Sequence, residues 1–211
     1  KMNILNKRKI IIYIISLFLF SVFFLYQKHL VGNDSTISEW IINYEGGFTK
    51  RGLIGQISIK ISNLLEIKLR ESILIFQIFI VGIYYLLLND FLKKIELNNL
   101  IIFAIFSPIF ILYPIAEIEV LARKETFLYS FFLIYLLIKD ENYRKIYKIV
   151  VLPFLVLIWE PVIFFFPFWF VIDYFQQNKK GIIKFFLKSF YYFIPAVLLA
   201  FYIAFNPISE Q

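Results

Sequence analysis

Apolar runs cover residues 10–26, 73–88, 100–116, 127–138, 149–175 and 185–205, and short stretches rich in Lys, Arg, Asp and Glu separate them. A helix needs roughly 20 apolar residues to cross the hydrocarbon of a bilayer. The pattern therefore predicts an all-α, polytopic transmembrane bundle. The run 149–175 is interrupted by Trp159-Glu160-Pro161, and two topologies fit it: one kinked helix, or a hairpin of two short helices with Pro161 at the start of the second. The hairpin is preferred because it keeps Lys179, Lys180 and Lys184 on the same side as the other basic clusters. About seven membrane segments result, and the hairpin arms are expected to fall short of a full crossing. The run 127–138 is also short, with 12 residues, so its helix must begin earlier or have its end shielded by protein and water. Pro108 and Pro114 can kink the third run.

The first long polar interval, from Gln27 to about Ser72, breaks this rhythm. Within it Leu53, Ile54, Ile57, Ile61, Leu64 and Leu65 recur at helical spacing, with Gln56, Lys60, Asn63 and Lys68 elsewhere on the wheel. This predicts an amphipathic helix lying in the membrane interface. The stretch 57–62 also alternates with period two, which leaves a short strand as the competing reading.

Composition agrees with the pattern: 61% of the 211 residues are hydrophobic and 27 are Phe, against about 45–50% apolar in an average soluble domain. There is no Cys and a single His, so neither a disulfide framework nor a thiolate or His metal site is expected. No cofactor is expected; a divalent metal is compatible with the acids but not indicated. The net charge of +7 is dispersed in short clusters between apolar runs, which argues for membrane topology and against nucleic acid.

Lys7-Arg8-Lys9 precede the first run and no small-residue cleavage site follows it, so that run reads as a retained anchor with its basic flank in the cytoplasm. On this orientation 14 of the 22 Lys and Arg are cytoplasmic, and the other eight sit in the first outer loop and at Arg123-Lys124. The expected location is the inner, cytoplasmic membrane, with the bilayer as first partner. Residues 1–211 read as a single membrane domain. Lys1 precedes the only Met, and the chain stops soon after an apolar run, which is compatible with the N-terminal part of a longer protein.

Candidate chemistry gathers on the outer face of this topology. Gly46, Gly47 and Gly52 give backbone freedom around Lys50-Arg51, and Trp40, Tyr44 and Phe48 flank them. A cationic pair on such a loop suits a phosphate or carboxylate at a lipid boundary, while the plainer reading is an interfacial turn with snorkelling cations. Asp34 and Glu39 follow the first run, Arg123-Lys124-Glu125 stand on the outer turn before the fourth, and Glu160 stands at the hairpin tip. Asp34 also fits a helix N-cap in Asn33-Asp34-Ser35-Thr36, and Glu119 with Arg123 fits a helix-surface pair. Glu160 is costly amid Trp, Phe and Ile unless it is paired or functional. Asp173 reads as a boundary charge and His29 as interfacial. A carboxylate able to take a proton from a hydroxyl, beside cations able to neutralise a departing phosphate, meets the needs of sugar transfer from a lipid phosphate.

Asn43-Tyr44-Glu45-Gly46-Gly47-Phe48-Thr49-Lys50-Arg51-Gly52-Leu53-Ile54-Gly55 resembles the Asn-Tyr-x-Gly-Gly-Phe-x-Arg-Arg-Gly-Leu-x-Gly signature of bacterial polytopic membrane proteins linked to surface-polysaccharide synthesis. Arg123-Lys124-Glu125 and Trp159-Glu160 resemble that group's later Arg-Lys-Glu and His-Glu positions, with Lys50 in place of an Arg and Trp159 in place of the His. The layout is also similar to the C-type membrane glycosyltransferases. That resemblance implies a polyprenyl-phosphate-linked sugar as donor, with Asp34 or Glu39 as the base that activates the acceptor. Tyr44, Gly46, Gly47, Lys50, Arg51, Arg123, Lys124, Glu125 and Glu160 are then the substrate-binding candidates. A transporter or flippase of a lipid-linked substrate, and a non-catalytic membrane subunit, are the alternatives.

Overall fold

A computed structural model describes residues 4–31, 35–96, 98–106, 120–177 and 181–206. Every regular element among them is helical. In order these are α1 (Ile4–Val31), α2 (Ser35–Ile41), α3 (Gly52–Leu65), α4 (Leu69–Leu92), α5 (Asn99–Phe106), α6 (Glu125–Leu137), α7 (Glu141–Ile158), a 3-10 segment (Glu160–Phe165), α8 (Phe166–Gln177), α9 (Ile182–Phe190), a 3-10 turn (Tyr191–Phe193) and α10 (Ile194–Phe205). Among the described residues three segments are long and apolar enough to cross a membrane: Arg8–Val31, Leu69–Leu92 and Phe185–Phe205. The coarse expectation of a helical membrane bundle stands on these three. Pro108, Pro114 and Glu119 lie outside the described residues.

The chain forms two compact units, residues 1–41 with 57–133, and residues 42–56 with 134–211. In the first, α1 packs on α4. At about 1.5 Å per residue the 28 residues of α1 reach about 42 Å and the 24 of α4 about 36 Å, enough for about 30 Å of hydrocarbon. Tyr85 joins them, its ring edge-on to Phe18 and its hydroxyl 3.1 Å from Ser21 Oγ. Arg70, in the first turn of α4, donates to the carbonyls of His29 (3.0 Å) and Lys28 (3.1 Å), satisfying acceptors that the end of α1 leaves open.

Residues 57–62 are helical, not a strand. Ser58 and Ser62, four apart in α3, share a buried face, where Ser72 Oγ donates to the Ser58 carbonyl (2.9 Å) and Ser62 Oγ to that of Ile67 (2.7 Å). With the serines buried, Leu64 and Leu65 face outward. Glu66, at φ 54°, reverses the chain after α3.

In the second unit α7 ends at Trp159, whose extended backbone (φ −156°, ψ 98°) redirects the chain. Pro161 then sits in the first turn of the 3-10 segment, where its missing N–H costs nothing. The break falls where Trp159-Glu160-Pro161 predicted it. At about 1.5 Å per residue the 12 residues of α8 reach only about 18 Å, short of a full crossing. Aromatic packing fills this unit: Phe166 meets Phe193, Phe170 meets Phe185 and Phe186, and Trp169 is fully buried.

Candidate functional site

The glycine-hinged loop is held by its own short-range bonds. The Asn43 side chain accepts from the Glu45 N–H (2.8 Å), the Gly47 N–H donates to the Tyr44 carbonyl (3.1 Å), and Gln56 Oε1 accepts from the Tyr44 N–H (3.0 Å). Gly46 and Gly47 are exposed, and Gly47 takes a positive φ of 118°. Gly52 is needed for space: a Cβ there would lie 2.4 Å from the Tyr44 ring. That ring stacks on Phe48 with centroids 5.7 Å apart, and Phe48 meets Tyr202 edge-on. Burial pushes the Tyr44 phenol up, so it stays protonated at neutral pH.

Arg51 stands between this loop and α3 in the left-handed region, at φ 61°. Side chains with a Cβ seldom adopt that conformation, and holding one there costs roughly 1–3 kcal/mol. Its Nε donates to Glu160 Oε2 at 2.7 Å, with about a quarter to a third of each side chain exposed. Two residues 109 apart in sequence, each singled out separately, form one ion pair. Lys50 is half-buried beside them in the chain.

The first unit carries the second cluster. Arg123 Nη2 donates to Glu39 Oε1 at 2.7 Å, and Arg123 Nε lies 3.7 Å from Glu125 Oε2. Glu39 Oε2 is buried and accepts no hydrogen bond among the described residues. Lys124 is fully buried. The neighbouring residues fix this geometry: the Trp40 indole N–H donates to the Ala122 carbonyl at 3.0 Å, and Trp40, with no exposed surface, packs against Phe76 and Phe127. Ala122, like Arg51, is left-handed (φ 57°). Arg123 thus pairs from the turn before α6 with Glu39, 84 residues earlier.

Asp34 lies outside the described residues. Among the described residues there is no group of three or more His, Cys, Asp and Glu able to hold a metal. His29 Nδ1 is buried without a hydrogen-bond partner among the described residues, and its carbonyl helps seat Arg70.

One charged cluster escaped the sequence reading. Asp173, read as a boundary charge, is buried: Tyr135 Oη donates to it at 2.5 Å, Arg144 Nη1 approaches at 3.5 Å, and Lys148 Nζ donates to its other oxygen. The four-residue spacing of Arg144 and Lys148, which puts both on one face of α7, is the signal that could have flagged it. No protein family, curated protein or solved structure matches the chain.

Proposed function

We propose that this chain is an integral membrane protein of surface-glycan assembly that transfers a sugar from a polyprenyl-phosphate donor at the outer face of the cytoplasmic membrane, with its N-terminus in the cytoplasm. The observation that carries the reading is Glu39, whose Oε1 is held by Arg123 while its buried Oε2 accepts no hydrogen bond among the described residues. An acid oriented by a cation through one oxygen presents the other as a proton acceptor. In the reaction the acceptor hydroxyl oxygen bonds to the anomeric carbon and its proton passes to Glu39. The carbon–oxygen bond to the phosphate breaks, and its electron pair leaves on the phosphate. Arg123 holds Glu125 only loosely, so the guanidinium can exchange that carboxylate for the departing phosphate. Arg51, paired with Glu160 on a strained loop, offers within its own unit a cation for an anionic ligand.

Replacing Arg51 and Arg123 singly with Ala, and Glu39 with Gln, while following protein level in the membrane, tests this reading. Surface glycan should fall in each variant at unchanged protein level. Unchanged glycan in both arginine variants would remove the proposal. The break between α7 and the 3-10 segment, with Glu160 beside it, favours a transporter or flippase as the second reading. That reading predicts movement of a lipid-linked sugar across vesicles without a new glycosidic bond.

A further inference from the structure

The cluster around Asp173 holds more positive than negative charge. Arg144, Lys148 and Asp173 are each at least 95% buried, so two cations share one carboxylate. Asp173 already accepts from Tyr135, Arg144 and Lys148. Arg144 also spends its Nε and Nη2 on the Ile138 carbonyl just past α6, and Lys148 lies 5.3 Å from the centre of the Tyr192 ring. Neither neighbour carries a full negative charge. A buried excess cation is expensive unless an anion reaches it.

A small cavity of about 20 Å³ opens on this cluster, lined by Arg144, Lys148 and Asp173 together with Lys145, Lys188 and the side chains of Ser189 and Tyr192. Glu141 also borders it and is already paired with Lys145 at 2.8 Å. Four cations therefore face two carboxylates. The cavity is about the size of one water. One oxygen of a larger group fits it, with the remainder at the mouth beside exposed Lys188.

The surroundings indicate what that group is attached to. On α9, Phe185 and Ser189 are buried on one face, while Ile183 and Leu187 are 74% and 70% exposed on another and Phe190 is also exposed. Leu187 and Phe190 lie in a segment, Phe185–Phe205, that is long and apolar enough to cross a membrane. A ligand seated here has its charge in the cavity and hydrocarbon alongside α9.

We propose that this cavity binds the phosphate of an anionic phospholipid, one phosphate oxygen entering between Arg144 and Lys148 while Lys188 pairs with the other charged oxygen at the mouth. The site lies wholly within the second unit and is independent of the glycan reading.

The test follows thermal unfolding of the full chain in neutral detergent, titrated with phosphatidylglycerol, phosphatidylcholine or inorganic phosphate. Phosphatidylglycerol should raise the midpoint and phosphatidylcholine should not. Lys188→Gln should raise the half-maximal phosphatidylglycerol concentration by about fivefold, the worth of one basic contact at a lipid surface. Lys188→Arg should restore it. Lys188 is exposed, so neither change threatens the fold, and Lys93→Gln, removing an exposed lysine outside the cavity, controls for bulk charge. Equal shifts with both lipids, no shift with either, or equal losses in Lys188→Gln and Lys93→Gln would overturn the proposal. A full shift with millimolar inorganic phosphate alone would replace the lipid by a free anion and overturn the assignment.

Discussion

Arg51 combines a conformation suited to glycine with a charge that glycine lacks, so strain and charge can be separated by substitution. The ion pair to Glu160 is about a quarter to a third exposed and contributes about 0–1 kcal/mol, less than the strain of the left-handed backbone. Arg51→Gly should therefore leave stability within about 1 kcal/mol of the parent, as measured by chemical unfolding in detergent, while surface glycan falls as in Arg51→Ala. Gly52 behaves in the opposite way: Gly52→Ala drives a methyl group into the Tyr44 ring and should destabilise by about 1–3 kcal/mol. In the Tyr44→Ala background the same Gly52→Ala change should cost less in the same measurement, because the ring in conflict is then gone.

At the scale of elements, Trp40 and Arg123 illustrate how a short helix positions chemistry. Glu39 and Trp40 are neighbours on α2, and Ala122 and Arg123 are neighbours before α6. One hydrogen bond and one ion pair therefore join the same two places. Trp40→Phe keeps the apolar packing and loses the indole donor, leaving the Ala122 carbonyl buried without that partner. The expected cost is about 1 kcal/mol in unfolding, with a fall in surface glycan if Arg123 shifts from Glu39.

The helices were legible from the apolar runs, though α1 and α4 extend beyond them at both ends because their terminal turns carry polar residues. The break at Trp159-Glu160-Pro161 was legible because proline marks it locally. The helical state of residues 57–62 was ambiguous, since Ile-Ser alternation also fits a period of two, and the bonds from Ser72 Oγ to the Ser58 carbonyl and from Ser62 Oγ to the Ile67 carbonyl form only in the folded chain. Asp173 was misread because the lysines nearest in sequence drew attention, while its partners lie 25 to 38 residues earlier. The four-residue spacing of Arg144 and Lys148 puts two cations on one helix face, but nothing in the sequence around Asp173 points to them.

For the whole molecule, the 2:1 ratio of buried cations to carboxylate makes Asp173 the most sensitive charge. Asp173→Asn removes the carboxylate that both Arg144 and Lys148 share, and breaking a buried pair in this way costs about 3–5 kcal/mol. Loss of folded protein from the membrane fraction checks it, and Ser16→Ala, a change at a helix-surface hydroxyl, should leave the level unchanged. The proposed orientation is also accessible, since the chain has no Cys of its own. A single cysteine placed at Phe48 should react with an impermeant thiol reagent on intact cells, and one placed at Lys94 only after permeabilisation. The reverse result would invert the topology and move Arg51 to the cytoplasm.

The second unit is discontinuous, and residues 42–56 leave the ribosome long before the stretch that completes it. Arg51 must wait for 109 further residues before Glu160 exists. At roughly 5–20 residues per second that interval lasts about 5–20 s. During biosynthesis the loop therefore lacks its Glu160 ion pair for that interval, and any insertase that attends this chain handles a loop not yet tied to the later half of its unit.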